Sequence, residues 1–251
     1  MNKVIKIVSA GLIALGVANT ADAQGLKGFG TAIKNAAGNI KSGSATGTGL
    51  SQSEISAGLK EALKVGAQNA TGKVSTVNGF FADAAIKVLL PPEAKKIETT
   101  LRGIGMGAYV DKAILSMNRA AEDASTKALP IFVSAVQGMT IQDGLSILKG
   151  SNDAATLYLR NKTTNDLTNL FKPTIKASLD KVSATKYWAD MVNLYNKLPT
   201  TRSKVNPDLP AYVTDRALNG IFVYVAKEEA SIRANPAARV SDILKKVFGS
   251  I

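Results

Sequence analysis

Three groups of polar residues interrupt otherwise apolar stretches and are the candidates for chemistry. The first is Asn118, Arg119 and Glu122, in which Arg119 and Glu122 stand three apart and share a side of a helix. The second is Asp153, Thr156 and Arg160, at successive helical intervals. The third is Glu228, Glu229, Arg233 and Arg239, with Glu229 and Arg233 at i, i+4 in the favourable acid-first order. If the groups converge, they make a buried array of acids and arginines. Two facing carboxylates, Glu122 and Glu229 being the candidates, could run acid–base hydrolysis as in glycosidases. They could also hold Ca²⁺ or Mn²⁺ through oxygen ligands. The plainer expectation is mutual satisfaction, since an arginine beside a core usually forms an ion pair that fixes helix packing. No metal-loop spacing is present, so no residue is assigned as a metal ligand or as catalytic, and no cofactor is implied.

Composition narrows the chemistry further. The 251 residues include no cysteine and no histidine. A Ser-His-Asp triad, a Cys-His nucleophile, a thiolate or imidazole metal site and a disulfide are therefore all excluded within this chain. Gly103, Gly105 and Gly107 resemble a phosphate-binding loop, but the Lys-Ser/Thr that a nucleotide site needs is missing. They read as a bend between helices.

The net charge is +12. Residues 160–204 hold much of the excess, with nine cations against Asp166, Asp180 and Asp190. Lys172, Lys176, Lys181 and Lys186 form a candidate basic face, interleaved with Phe171, Tyr187, Trp188 and Tyr195. The expected partners are an anionic lipid or an acidic envelope glycan, with peripheral membrane contact, and not nucleic acid. A merely solvated face is the alternative.

The elements that would position these residues are helical. Ser51-Gln52-Ser53-Glu54 fits a capping box, followed by Ile55, Leu59, Ala62, Leu63 and Gly66 on one face. Residues 84–90 are short and irregular, and Pro91-Pro92 opens the next helix. Val110, Ala113, Ile114, Met117, Ala120, Ala121 and Ala124 mark a helical stripe whose small residues permit close approach. Thr140 and Ser151 read as caps, and Pro173 is expected to kink or break the helix that Ser151 begins. Trp188, Met191, Val192 and Tyr195 define a further helix. Asp208 caps another with Pro210 in its first turn, and Ser241 caps a last one. The expectation is an all-α single domain of roughly eight to ten helices over residues 51–251.

Two segments precede it. Lys3 and Lys6, the apolar run Ile7 to Ala18 and Ala21-Asp22-Ala23 read as a signal peptide, 1–23, cut between Ala23 and Gln24. No cysteine follows, so a lipoprotein anchor is not expected. Residues 24–50 read as a flexible Gly/Ser-rich linker with a weak basic amphipathic segment carrying Lys27, Lys34 and Lys41. The destination is periplasmic or secreted.

Several motifs together resemble the bacterial domain of unknown function family 4197. They are Asn118-Arg119-Ala120-Ala121-Glu122, Asp153-Ala154-Ala155-Thr156 with Tyr158-Leu159-Arg160, and Lys186-Tyr187. Asp208-Leu209 with Tyr212-Val213-Thr214 and Ala217-Leu218-Asn219-Gly220-Ile221-Phe222 continue the match. Glu228-Glu229, Ile232-Arg233 and Asn235-Pro236-Ala237-Ala238-Arg239 complete it. The resemblance implies a bacterial, exported, helical protein and brings no activity with it. The expected function is a non-catalytic envelope protein that binds an anionic or amphipathic ligand. A structural or assembly protein, and a carboxylate-dependent hydrolase, are the alternatives.

Overall fold

The computed structural model describes residues 51–197 and 204–235 together with Lys245, all within one compact unit, Ser44–Ile251. The expected signal peptide, the linker before Ser51, Arg239 and the helix expected after Ser241 lie outside the described residues.

The first helix, α1 (Gln52–Val74), starts as its capping box dictates. The Ser51 hydroxyl accepts from the Glu54 N–H at 3.3 Å, and the Glu54 carboxylate accepts from the Ser51 N–H at 2.8 Å. Its buried face includes Ile55, Leu59, Ala62, Leu63 and Gly66. An irregular stretch, residues 75–91, leads to a short 3₁₀ turn, Pro92–Ala94, where the prolines were expected to open a helix. Then follow α2 (Lys95–Gly103), α3 (Gly107–Ser125), α4 (Leu129–Gln137), α5 (Ile141–Lys149), α6 (Ala154–Asp180), α7 (Ala184–Asn196) and α8 (Leu209–Ala234). Eight α-helices and no strand stand among the described residues, so the all-α expectation holds.

The long helices α6 and α8 pair most extensively; α1 packs on α8, and α3 packs on both α6 and α8. The small stripe of α3 explains how it fits: Ala120, Ala121 and Ala124 are fully buried beneath its neighbours. Phe80, Phe132, Phe171 and Phe222 fill the centre. Phe132 meets Phe222 edge-on, with centroids 5.7 Å apart and planes at 79°, the arrangement that ring quadrupoles favour.

Two boundaries differ from expectation. Pro173 does not end its helix: α6 runs on to Asp180. Phe171 and Ile175 on either side of it are fully buried, so core packing holds the chain helical where the missing N–H alone would not. Ser151 does not cap α6. Its hydroxyl bonds the Asp153 carboxylate at 2.6 Å, and Asp153 occupies the cap position without a side-chain cap bond. The acceptor for the first N–H groups of α6 comes from another helix, as shown below.

Gly220 of α8 is where the irregular stretch meets the core. A Cβ added there would lie 2.4 Å from Phe80 Cε1 and 3.3 Å from Ile86 Cβ. Gly220→Ala should therefore expel the Phe80 ring from its seat and lower stability by about 1–3 kcal/mol in denaturant unfolding. The open position Gly72, where an added Cβ meets nothing within 4 Å, serves as the control; there alanine should stabilise.

Candidate functional site

The irregular stretch 75–91 leaves backbone groups in the interior with no helical partner, and Asn118, Arg119 and Glu122 face it. Glu122, only 4% exposed, accepts from the backbone N–H groups of Phe80 and Phe81 through Oε1 at 3.1 and 3.2 Å. Its Oε2 accepts from Arg119 Nη1 at 2.5 Å. Arg119 Nη2 reaches across to Asn78 Oδ1 at 2.8 Å, where Asn78 sits at φ 70°, a left-handed conformation that asparagine tolerates. Asn118, fully buried, pairs both ways with one residue. It accepts from the Val88 N–H at 2.9 Å and donates to the Val88 carbonyl at 2.8 Å. The same amide donates to the Ile114 carbonyl at 2.7 Å. One turn and a half of α3 thus straps down residues 78–88.

Glu229 performs the corresponding task at the start of α6. It accepts from the N–H groups of Ala155 and Thr156 at 3.0 and 2.8 Å and from the Thr156 hydroxyl at 2.8 Å. It is the cap that Asp153 fails to supply, borrowed from α8, and its negative charge sits at the positive end of the α6 dipole. Arg233 donates to it through Nε and Nη2, and also donates to the Ile147 carbonyl of α5 at 3.0 Å. One acid and one arginine on α8 therefore join the end of α5 to the beginning of α6.

The expected convergence is thus partial. Thr156 joins Glu229 and Arg233. Asp153 is exposed and bonds Ser151. Arg160 turns elsewhere, donating to Asn219 Oδ1 at 3.0 Å and stacking over Phe222 at 4.4 Å from the ring centroid. Glu228 accepts from Asn69 on α1 at 3.0 Å. The two candidate carboxylates, Glu122 and Glu229, serve different stretches of backbone, Phe80–Phe81 and Ala155–Thr156. No group of three or more acids able to hold a metal ion occurs among the described residues.

A further cluster was not visible as one in the sequence. The Tyr224 hydroxyl donates to Asp83 Oδ2, the Asp83 carboxylate accepts from the Ala85 N–H at 2.8 Å, and Lys227 Nζ lies 3.9 Å away. The tyrosine bond first, then the Ala85 N–H and Lys227, hold the Asp83 carboxyl below the ordinary carboxylate range. The same bond, with burial, pushes the Tyr224 phenol up. Tyr224 had every appearance of an ordinary apolar-face residue, and only the fold brings a residue 141 positions away to it.

On the candidate basic face three lysines have acidic partners: Lys172 with Asp208 at 2.8 Å, Lys176 with Asp180 at 2.5 Å, and Lys186 with Asp190 at 2.6 Å. Lys181 is exposed. A separate open groove of about 490 Å³ lies between α4, the start of α5 and α6, with Tyr158, Lys162, Asp143 and Asp166 among its lining residues. It carries both signs of charge.

Glu229→Ala would leave the Ala155 and Thr156 N–H groups without their acceptor and the largely buried Arg233 guanidinium without its carboxylate, the Ile147 carbonyl remaining to it. The expected loss is about 3–5 kcal/mol, read from chemical denaturation. Tyr224→Phe tests the Asp83 pair. A depressed carboxyl gives stability that is present above its unfolded value and lost as pH falls through its folded one. A raised phenol gives stability present below its unfolded value and lost as pH rises through its folded one. The pair thus works between the ordinary carboxylate and phenol ranges. Losing the hydroxyl should cost about 1–2 kcal/mol at neutral pH. It should also move the acid limb of unfolding to higher pH; a melt series across pH in which that limb stays put would contradict the assignment.

No match to the chain is found among curated proteins or among solved structures. The sequence profile described as protein of unknown function (DUF4197) matches residues 49–249, a span that contains every strap and cap described above. The chain belongs to the DUF4197 family.

Proposed function

We propose that this protein is an exported helical module of the bacterial envelope that binds an anionic or amphipathic ligand at its surface and performs no catalysis. The observation that carries this reading is the condition of the two candidate acids. Glu122 and Glu229 are buried, and their oxygens are occupied by backbone N–H groups and by arginines. A general acid or nucleophile needs an oxygen facing substrate. These oxygens face the chain itself. The polar clusters are packing devices, which leaves recognition to the outside of the molecule.

Two features of the outside support binding. The chain from Gln24 onward, without Lys3, Lys6 and Asp22, carries a net charge of +11, which favours anionic partners. The ion pairs of Lys176 and Lys186 are solvent-exposed, with lysine side chains 59% and 74% accessible. Pairs so exposed contribute little and exchange readily for a polyanion. Export is supported by the basic, apolar and small-residue succession of residues 1–23.

Native mass spectrometry on protein taken from the envelope of its own cells tests both parts. The expected result is a chain beginning at Gln24 that carries an adduct of acidic lipid or glycan mass, released as salt is raised. A chain that retains residues 1–23 would overturn export. A bare mass, with no salt-sensitive retention on anionic vesicles, would overturn binding.

A further inference from the structure

One helix shares little of the packing of the rest. α2 buries no residue fully; Leu101, partly buried, packs against the core, and the elements α2 meets appreciably are α3 and the 3₁₀ turn before it. Its turn into α3 is apolar and open. Ile104 is 65% exposed, Met106 38% and Tyr109 67%. An added Cβ at Gly103 or Gly105 would meet nothing within 4 Å, so this turn projects clear of neighbouring side chains. Gly105, at φ 81°, makes the turn itself.

The hairpin is nevertheless braced. Arg102 donates to Glu98 Oε1 at 2.9 Å and to Asp111 Oδ1 at 2.8 Å, tying α2 to α3. Both acids are thereby turned onto one arginine. Lys95, Lys96 and Lys112 are exposed and have no ion-pair partner among the described residues; Glu93 is the remaining acid of the segment. Lys112 stands one turn from Tyr109 on the surface of α3.

We infer that the α2–α3 tip docks on an anionic lipid surface, with Ile104, Met106 and Tyr109 entering the headgroup boundary and Lys95, Lys96 and Lys112 resting against it. A convex apolar tip suits a bilayer, which supplies a yielding apolar layer, and a tyrosine is at home where one end is apolar and the other wet. The unpaired lysines complement lipid phosphates. They also oppose self-association, because a two-fold contact through this tip would bring the same three cations of each copy together. This inference rests on the binding reading above and assigns its surface.

The test is co-sedimentation of the full mature chain with vesicles made of equal parts phosphatidylglycerol and phosphatidylcholine. The native chain should sediment with these and stay in solution with phosphatidylcholine alone. The variant Ile104→Ser/Met106→Ser/Tyr109→Ser should bind at least about tenfold more weakly. Replacing Lys95, Lys96 or Lys112 by alanine should cost on the order of fivefold each. All six side chains are exposed, so thermal unfolding of the variants should match that of the native chain. A tip variant that sediments like the native chain, while Lys172→Glu/Lys176→Glu/Lys181→Glu does not, would overturn the tip and leave surface binding standing. A native chain that ignores anionic vesicles would overturn the tip. So would a native dimer that the tip variant converts to monomer in analytical ultracentrifugation, since that would make a second copy the occupant.

Discussion

Backbone N–H groups that leave a helix inside a protein must find another acceptor, and this fold is arranged around that demand. Two places create it: the irregular stretch between α1 and α2, and the start of α6. In each, the answer is a buried glutamate projected from a different helix, with an arginine three or four residues further along or back. Glu122 holds Phe80 and Phe81; Glu229 holds Ala155 and Thr156. Asn118 adds a two-way bond to Val88 that imitates the pairing a neighbouring strand would offer. A buried carboxylate is expensive to desolvate, and charge-assisted bonds from several N–H groups together with a guanidinium are what make it tolerable here.

The polar residues of α3, α6 and α8 acquire a physical meaning in this light. Asn118, Arg119 and Glu122 are one strap. Ala155, Thr156, Glu229 and Arg233 are one joint between α5, α6 and α8. Asn219, Gly220 and Phe222 on α8 act as three adjacent seats, for Arg160, for the Phe80 ring and for the Arg160 guanidinium plane. These residues bind the chain to itself.

Local devices were legible in the sequence, because donor and acceptor lie within one turn. The Ser51–Glu54 capping box and the Thr140 and Asp208 caps form where their spacing places them, whereas the cap expected at Ser151 does not form. The identities of the buried polar residues were legible too, since an acid or an amide within an apolar stripe stands out. Their partners were not. Glu122 bonds backbone 41 and 42 residues away, and every residue carries such an N–H, so no side-chain pattern points to it. Arg160 shares a helix side with Thr156, yet its guanidinium bonds Asn219 and lies over Phe222 instead. The break expected at Pro173 is absent for a related reason. A local rule against proline in helices was overruled by the burial of Phe171 and Ile175.

The joint made by Glu229 and Arg233 also sets an order of assembly. The α5–α6 corner is complete in sequence by Thr156, but the groups that close it arrive 73 or more residues later. The seat for Phe80 arrives later still than the ring it receives, by 140 positions. A chain emerging from its N-terminal end therefore holds its first seven helices, including the Glu122 and Asn118 strap, before the Glu229 acceptor and the Gly220 seat exist. Until α8 is made, the Ala155 and Thr156 N–H groups lack the Glu229 carboxylate and the Phe80 ring lacks the face of Gly220 against which it packs, so the corner and the core close only across the length of the domain.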